Sequence, residues 1–150
     1  MPIAVTNTER PTEASGLLAS DEAVGNTKTV AANSHRGARA FLVVEHVRID
    51  YTSTATAGTR TLRLQVKEGS TVLKSRVLKA ETNLVASQNK KVAVVFRQPY
   101  APLGGEYVDP PDADNEPVVL KAGQTIVVED TANVAAGDTC KVYLYGKRTY

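Results

Sequence analysis

The chain has no tryptophan, one cysteine, one methionine, two phenylalanines and two histidines among its 150 residues. Each scarcity closes a route. A single thiol, Cys140, permits neither an internal disulfide nor a zinc site built from cysteines. Two isolated histidines, His35 and His46, do not supply the His and carboxylate cluster of a metal-dependent jelly-roll enzyme, so no metal and no other cofactor is expected. With aromatics at 5%, a sugar-binding platform has only tyrosines to draw on. No run approaches the ~18 apolar residues of a membrane helix, and Met1-Pro2-Ile3-Ala4-Val5-Thr6 lacks the basic start and apolar centre of a signal peptide. Synthesis in a cytoplasm and no membrane partner are the expectation. The formal net charge of +2 is too small for a duplex nucleic-acid binder, which concentrates basic excess, so no nucleic-acid partner is expected.

Catalytic motifs are equally sparse. There is no Gly-x-Ser-x-Gly elbow, and Cys140 sits in a stretch that reads as core. Leu103-Gly104-Gly105-Glu106 has neither P-loop nor dinucleotide-binding context and reads as a turn. Asp112-Ala113-Asp114-Asn115-Glu116 offers oxygen ligands at alternate positions but lacks the glycine and the closing glutamate of a calcium loop, so it reads as a solvated acidic loop. A glycosidase-type carboxylate pair is the enzymatic route the sequence leaves open. No catalytic residue is nominated, and the chain reads as a non-enzyme.

What is present is β-structure. The organising stretch is Val118 to Asp130, followed by Thr139-Cys140-Lys141-Val142-Tyr143-Leu144-Tyr145, rich in β-branched residues with a period of two. Ile126 and Val128 share one face, as do Cys140, Val142 and Leu144. Tyr143 and Tyr145 then fall on the opposite face, which implies a cover. Upstream, Phe41 to Tyr51 is a strand with Phe41, Val43, Val47, Ile49 and Tyr51 on one side and His46, Arg48 and Asp50 on the other; Glu45 interrupts the row and marks a bulge or a border. Leu62, Leu64 and Val66 face inward in a hairpin that turns at Glu68-Gly69-Ser70, and its partner strand offers Leu73 and Val77 inward. Lys90 to Arg97 is a further strand, ended by Pro99. These strands, with no helical repeat, predict an all-β antiparallel sandwich of jelly-roll type over residues 39–150. Residues 1–38, poor in large apolar groups, read either as a disordered tail or as an extended N-terminal arm that orders against a neighbouring subunit.

Charge is distributed unevenly. The hairpin gathers Arg63, Lys67, Lys74 and Arg76, with Arg60 and Lys79 near its ends, and this outward face is either a solvated sheet face or a contact surface for something anionic. The long stretch from Tyr100 to Pro117 carries only acidic charge, including Asp109, Asp112 and Asp114. Loops of that length in a compact domain are often functional. The expectation is that the acidic loop meets a basic surface on a neighbour, with Tyr143 and Tyr145 adding apolar contact, and that the complementary charge sets register.

Val119-Leu120-Lys121-Ala122-Gly123-Gln124-Thr125-Ile126-Val127-Val128-Glu129-Asp130, the Ala135-Ala136-Gly137-Asp138 turn before Val142-Tyr143-Leu144-Tyr145-Gly146, and the polar arm together resemble small β-sandwich proteins of tailed-bacteriophage particles, especially capsid decoration (cement) proteins. The resemblance covers about residues 40–150. It implies a structural role on the outer capsid surface, a major capsid protein as partner, and a homo-oligomer, a trimer by analogy. A tail or head-tail connector component is the alternative among virion proteins, and a carbohydrate-binding β-sandwich module the alternative outside them.

Overall fold

Residues 16–24, 27–31, 41–79, 82–111, 113, 115–121, 123–130 and 137–149 are described by the structure, a computed structural model, the first two segments at the level of the backbone. The strands are β1 (Gly16–Val24), β2 (Thr27–Ala31), β3 (Phe41–Thr52), β4 (Leu62–Glu68), β5 (Thr71–Val77), β6 (Asn89–Val95), β7 (Glu106–Asp109), β8 (Val118–Leu120), β9 (Gln124–Asp130) and β10 (Thr139–Thr149). They form two sheets. One has the order β1-β10-β3-β6-β7, with β8 also on β3; the other has the order β2-β9-β4-β5. All pairs are antiparallel except β6 and β7. The predicted all-β sandwich is what the chain forms, and no α-helix occurs among the described residues.

The two stretches that organise the sequence organise the sheets as well. β10 lies between β1 and β3, and β9 between β2 and β4. Their period of two explains why each is internal: Ile126, Val128, Cys140, Val142 and Leu144 are all buried between the sheets. Leu62, Leu64 and Val66 of β4 and Val92, Val94 and Phe96 around β6 complete the core from the facing sides. At ~25 cal/mol per Å² of apolar surface, such aliphatic side chains contribute roughly 1.5–3 kcal/mol each when fully buried.

Glu45 is the bulge. Tyr145 pairs with His46 and Gly146 with Val44, which leaves Glu45 as the extra residue on β3. An extra residue reverses the parity of everything before it. Leu42 and Val44 are therefore the buried members of the first half of β3, while Phe41 and Val43 are half-buried, contrary to the expected row. The same residue is the border on the strand's other edge. The Glu45 carbonyl accepts from the backbone N–H of Phe96 at 2.9 Å and of Arg97 at 3.3 Å, where β6 leaves β3 and β8 takes its place beside Leu42–Val44.

The hairpin also differs from its sequence reading. Gly69, at φ 59°, takes the first position of a two-residue turn, as a II′ hairpin requires. The resulting register sets Arg76 opposite Leu64 and Lys74 opposite Val66, so these two cations lie on the inward side of β5 at the rim of the sandwich. Val77 then falls outward beside Arg63, and Leu73 is the extra residue where Lys67 pairs with Val72. Long cationic stems can line an apolar rim while their heads reach polar partners, which is why an edge strand tolerates this inversion.

Within the range read as an arm, β1 pairs with β10 and β2 with β9. Residues 1–15, 25–26 and 32–40 lie outside the described residues. The acidic stretch from Tyr100 to Pro117, read as a loop, contains β7, which runs parallel to β6 over Lys91–Val94.

Candidate functional site

Two regions concentrate charged and aromatic side chains. The first is the outer face of the six-stranded sheet. β3 beyond the bulge points His46, Arg48 and Asp50 outward, and β10 brings Tyr145 opposite His46 and Tyr143 opposite Arg48. The His46 and Tyr145 rings stack, with centroids 4.9 Å apart and planes 7° from parallel. Tyr100, from the segment after Pro99, meets His46 edge-on at 4.7 Å. Arg48 binds the group together: its guanidinium lies 4.8 Å from the Tyr145 ring centroid, and its Nε donates to the Tyr100 hydroxyl at 3.1 Å. The Tyr100 hydroxyl donates in turn to Glu106, whose carboxylate lies 3.6 Å from Arg48 and accepts the Leu103 N–H at 3.2 Å. This is the cover the two tyrosines called for. It also explains why Ala93 and Val95, opposite Arg48 and His46 on this outer face, are fully buried.

A cleft of about 430 Å³ opens beside the cluster, lined by Glu45, His46, Arg48, Arg97, Gln98 and Tyr100. A smaller groove of about 190 Å³ adjoins it over Asp50, Lys91, Leu103 and Tyr143. Burial, with the Glu106 carboxylate it bonds, holds the Tyr100 hydroxyl above its usual range. Burial, and then the positive charge of Arg48, pushes the His46 imidazole below its ordinary 6.5. His46 Nε2 is buried without a hydrogen-bond partner among the described residues.

A pH dependence follows with a definite sign. The folded state binds a proton at His46 less readily than the unfolded chain, so stability is lost as pH falls below about 6.5. Denaturant unfolding at pH 8 and pH 5 is expected to show a larger loss for the natural chain than for His46→Phe, which keeps a stacking ring without the titration. Equal losses in the two proteins would remove His46 from the account.

The second region is the rim where β5 meets β7. Arg76 pairs with Asp109 at 2.5 Å and donates to the Pro110 carbonyl, while the Lys79 N–H donates to Asp109 at 3.4 Å. The Asp109 side chain is buried. A basic ribbon and an acidic loop thus do meet at this pair, but within one chain, where they tie the two sheets together.

The remaining nominated residues separate. Arg63 forms an ion pair with Glu129 of the neighbouring β9, a cross-strand contact on the outer face of the four-stranded sheet. Lys67 lies on that face too, opposite Thr125 and Val72. Lys74 is exposed on the other side of β5, so the four cations do not form one outward face. Asp112 and Asp114 lie outside the described residues. Tyr143 and Tyr145 are half-buried on the outer face of the larger sheet. Arg60, expected at the end of the basic face, is wholly buried against Asp138. Nothing in its sequence neighbourhood signals that pairing, because Asp138 is 78 residues away.

Exposed large apolar side chains are scattered as Val85, Leu103, Tyr107 and Val119, and three more share one strand. Val72, Leu73 and Val77, at 46%, 51% and 63% exposure, all belong to β5. β5 is an edge strand, hydrogen-bonded to β4 alone among the described residues.

No protein-family model matches the chain, and no curated protein matches it. Among solved structures, 94% of the chain aligns with a chain in the structure of infectious bursal disease virus Gx strain, at 10% identity and a TM-score of 0.35. It aligns likewise, over 93% of its length, with a chain of T=1 particles derived from infectious bursal virus, at 7% identity and a TM-score of 0.33. The chain spans about a third of the length of these viral chains, 32% and 31%.

Proposed function

We propose that the protein is a structural component of a virus particle, and specifically a capsid decoration protein that stabilises the head of a tailed bacteriophage through contacts between subunits. The observation that carries this reading is the apolar strip on β5. Three large aliphatic side chains on a strand edge that is unpaired among the described residues are a liability for a protein that works alone, and a contact surface for one that works in an assembly. The sequence resemblance to decoration proteins points the same way. On this reading the partner is a major capsid protein, the place of action is the capsid surface, and the role is not enzymatic.

The test is composition. Density-gradient-purified particles from the source culture, digested and measured by mass spectrometry, are expected to contain this chain in a fixed ratio to the major capsid protein. Heads lacking it are expected to release their contents at lower temperature. Absence of the chain from purified particles would overturn the proposal.

A second reading is favoured by one feature, the cleft beside Tyr100, His46 and Arg48, which has the size of a small-ligand site. That reading is a carbohydrate-binding module, and it requires glycan binding by the isolated chain that Tyr100→Ala abolishes.

A further inference from the structure

The sandwich has two lateral sides of opposite character. On one side stand β1 and β2, the end strands of their respective sheets, lying against each other. On the other stand β5 and β7, joined by Arg76 and Asp109. Among the described residues, β1 is paired only to β10 and β5 only to β4, so each presents one strand edge away from its sheet. Both are long for edge strands, nine and seven residues, and neither contains proline. Their charges are complementary. β1 (GLLASDEAV) carries Asp21 and Glu22 and no cation, whereas β5 (TVLKSRV) carries Lys74 and Arg76 and no anion.

A symmetric pairing of two β5 edges is disfavoured by the same facts. Set antiparallel about Ser75, it places Lys74 of each copy against Arg76 of the other, and with Arg76 already held by Asp109 it gives Lys74 no carboxylate to meet. The pairing that uses both edges and matches their charges is heterologous.

We infer that copies of this chain associate head to tail, the β1 edge of one copy adding as an extra strand to the β5 edge of the next, so that one of the two alternating acids, Asp21 or Glu22, falls on the face of Lys74 and the strip of Val72, Leu73 and Val77 is covered. This rests on the proposed assembly role and specifies how that role is carried out. A heterologous contact of this kind builds a ring if the rotation closes and a filament if it does not. Arg76 stays on Asp109 and supports β5 from inside the rim.

The test is a charge exchange read by light scattering across a concentration series, with the full chain. One variant is Lys74→Glu; the other is Asp21→Lys with Glu22→Lys. In each variant alone both edges have the same sign, and association is expected to weaken at least tenfold. In an equal mixture of the two, each β1 edge again faces a β5 edge of opposite sign, and association is expected to return. Thermal unfolding of each variant checks that the fold persists, and Val77→Lys, at an exposed position, gives an independent block on the β5 side. A natural chain that stays monomeric at every concentration overturns the inference, as does association unchanged by the exchanges or not restored by mixing. If the chain is present in purified particles but the exchanges have no effect, the edge pairing falls and the virion role stands. If mixing restores association but particles lack the chain, the pairing stands and the virion role falls.

Discussion

Asp138→Ala is expected to destabilise the protein by about 3–5 kcal/mol, the cost of stranding a buried charge. Arg60 and Asp138 are both fully excluded from solvent, with Arg60 Nε 2.9 Å from Oδ2 and Nη2 3.2 Å from Oδ1. The carboxylate also accepts the Thr54 N–H at 2.8 Å and the Tyr51 hydroxyl at 3.3 Å. The guanidinium donates from Nη1 to the carbonyls of Thr56 at 2.8 Å and Gly58 at 2.7 Å. One ion pair therefore fixes the loop after β3 to the residue that precedes β10. Removing the carboxylate deprives a buried cation of its bidentate partner and two donors of their acceptor, and the loss is expected to lower the melting temperature by roughly 10 °C or more. The paired change Arg60→Met with Asp138→Leu removes both charges, and it is expected to cost less than Asp138→Ala alone. Chemical denaturation of the three proteins measures the difference. A loss of under about 1 kcal/mol in Asp138→Ala would show that the pair is hydrated in solution.

Gly146→Ala has the second-largest expected effect. A Cβ at this position would lie 1.9 Å from the Val43 carbonyl oxygen and 3.1 Å from the Glu45 nitrogen. These are backbone atoms of the β3 bulge, so no side-chain rotation relieves the clash. Overpacking a core usually costs about 1–3 kcal/mol, and here the upper end or beyond is expected because two paired strands must separate. The damage should be local to one junction. Amide exchange is expected to speed up across Leu42–Val44 and Val118–Leu120, which pair there, before it does so in β4 and β9. Uniform acceleration, or none, would contradict the role given to Gly146.

The sheets were largely legible because their internal strands alternate cleanly. β4, β9 and β10 put into the core the side chains that a period of two assigns to it. Glu45, an acidic residue in an apolar row, correctly marked the bulge, although the parity change it imposes on Phe41 and Val43 requires the pairing with Gly146 to be known. β5 defeated the reading for a different reason. Alternation states which residues share a face but not which face is inward, and in an edge strand Arg76 gains an ion pair with Asp109 by turning in while Val77 is left in solvent. β1, β2 and β7 escaped because their composition is polar or their length is short, and it is backbone pairing that defines them.

The site divided in the same way. Period alone set His46 and Arg48 on one side of their strand and Tyr143 and Tyr145 on the outward side of theirs, and the need for a cover followed from the tyrosines; that the two strands pair and join these residues is recorded only in the sheet order. That Tyr100 and Glu106 supply it depends on how the segment after Pro99 folds back, which no local pattern records. Arg60 and Asp138 were invisible as a pair, since an arginine near a hairpin end reads as surface until its distant carboxylate is known.

On the proposed function, the β5 edge is covered in an assembly. The most direct measurement is amide hydrogen exchange of Thr71–Val77 in the isolated chain at low concentration and in purified particles. Strong protection of this strand in the particle, with β4 and β9 slow in both states, is the predicted result. Exchange in β5 that is equally fast in the two states would contradict the claim.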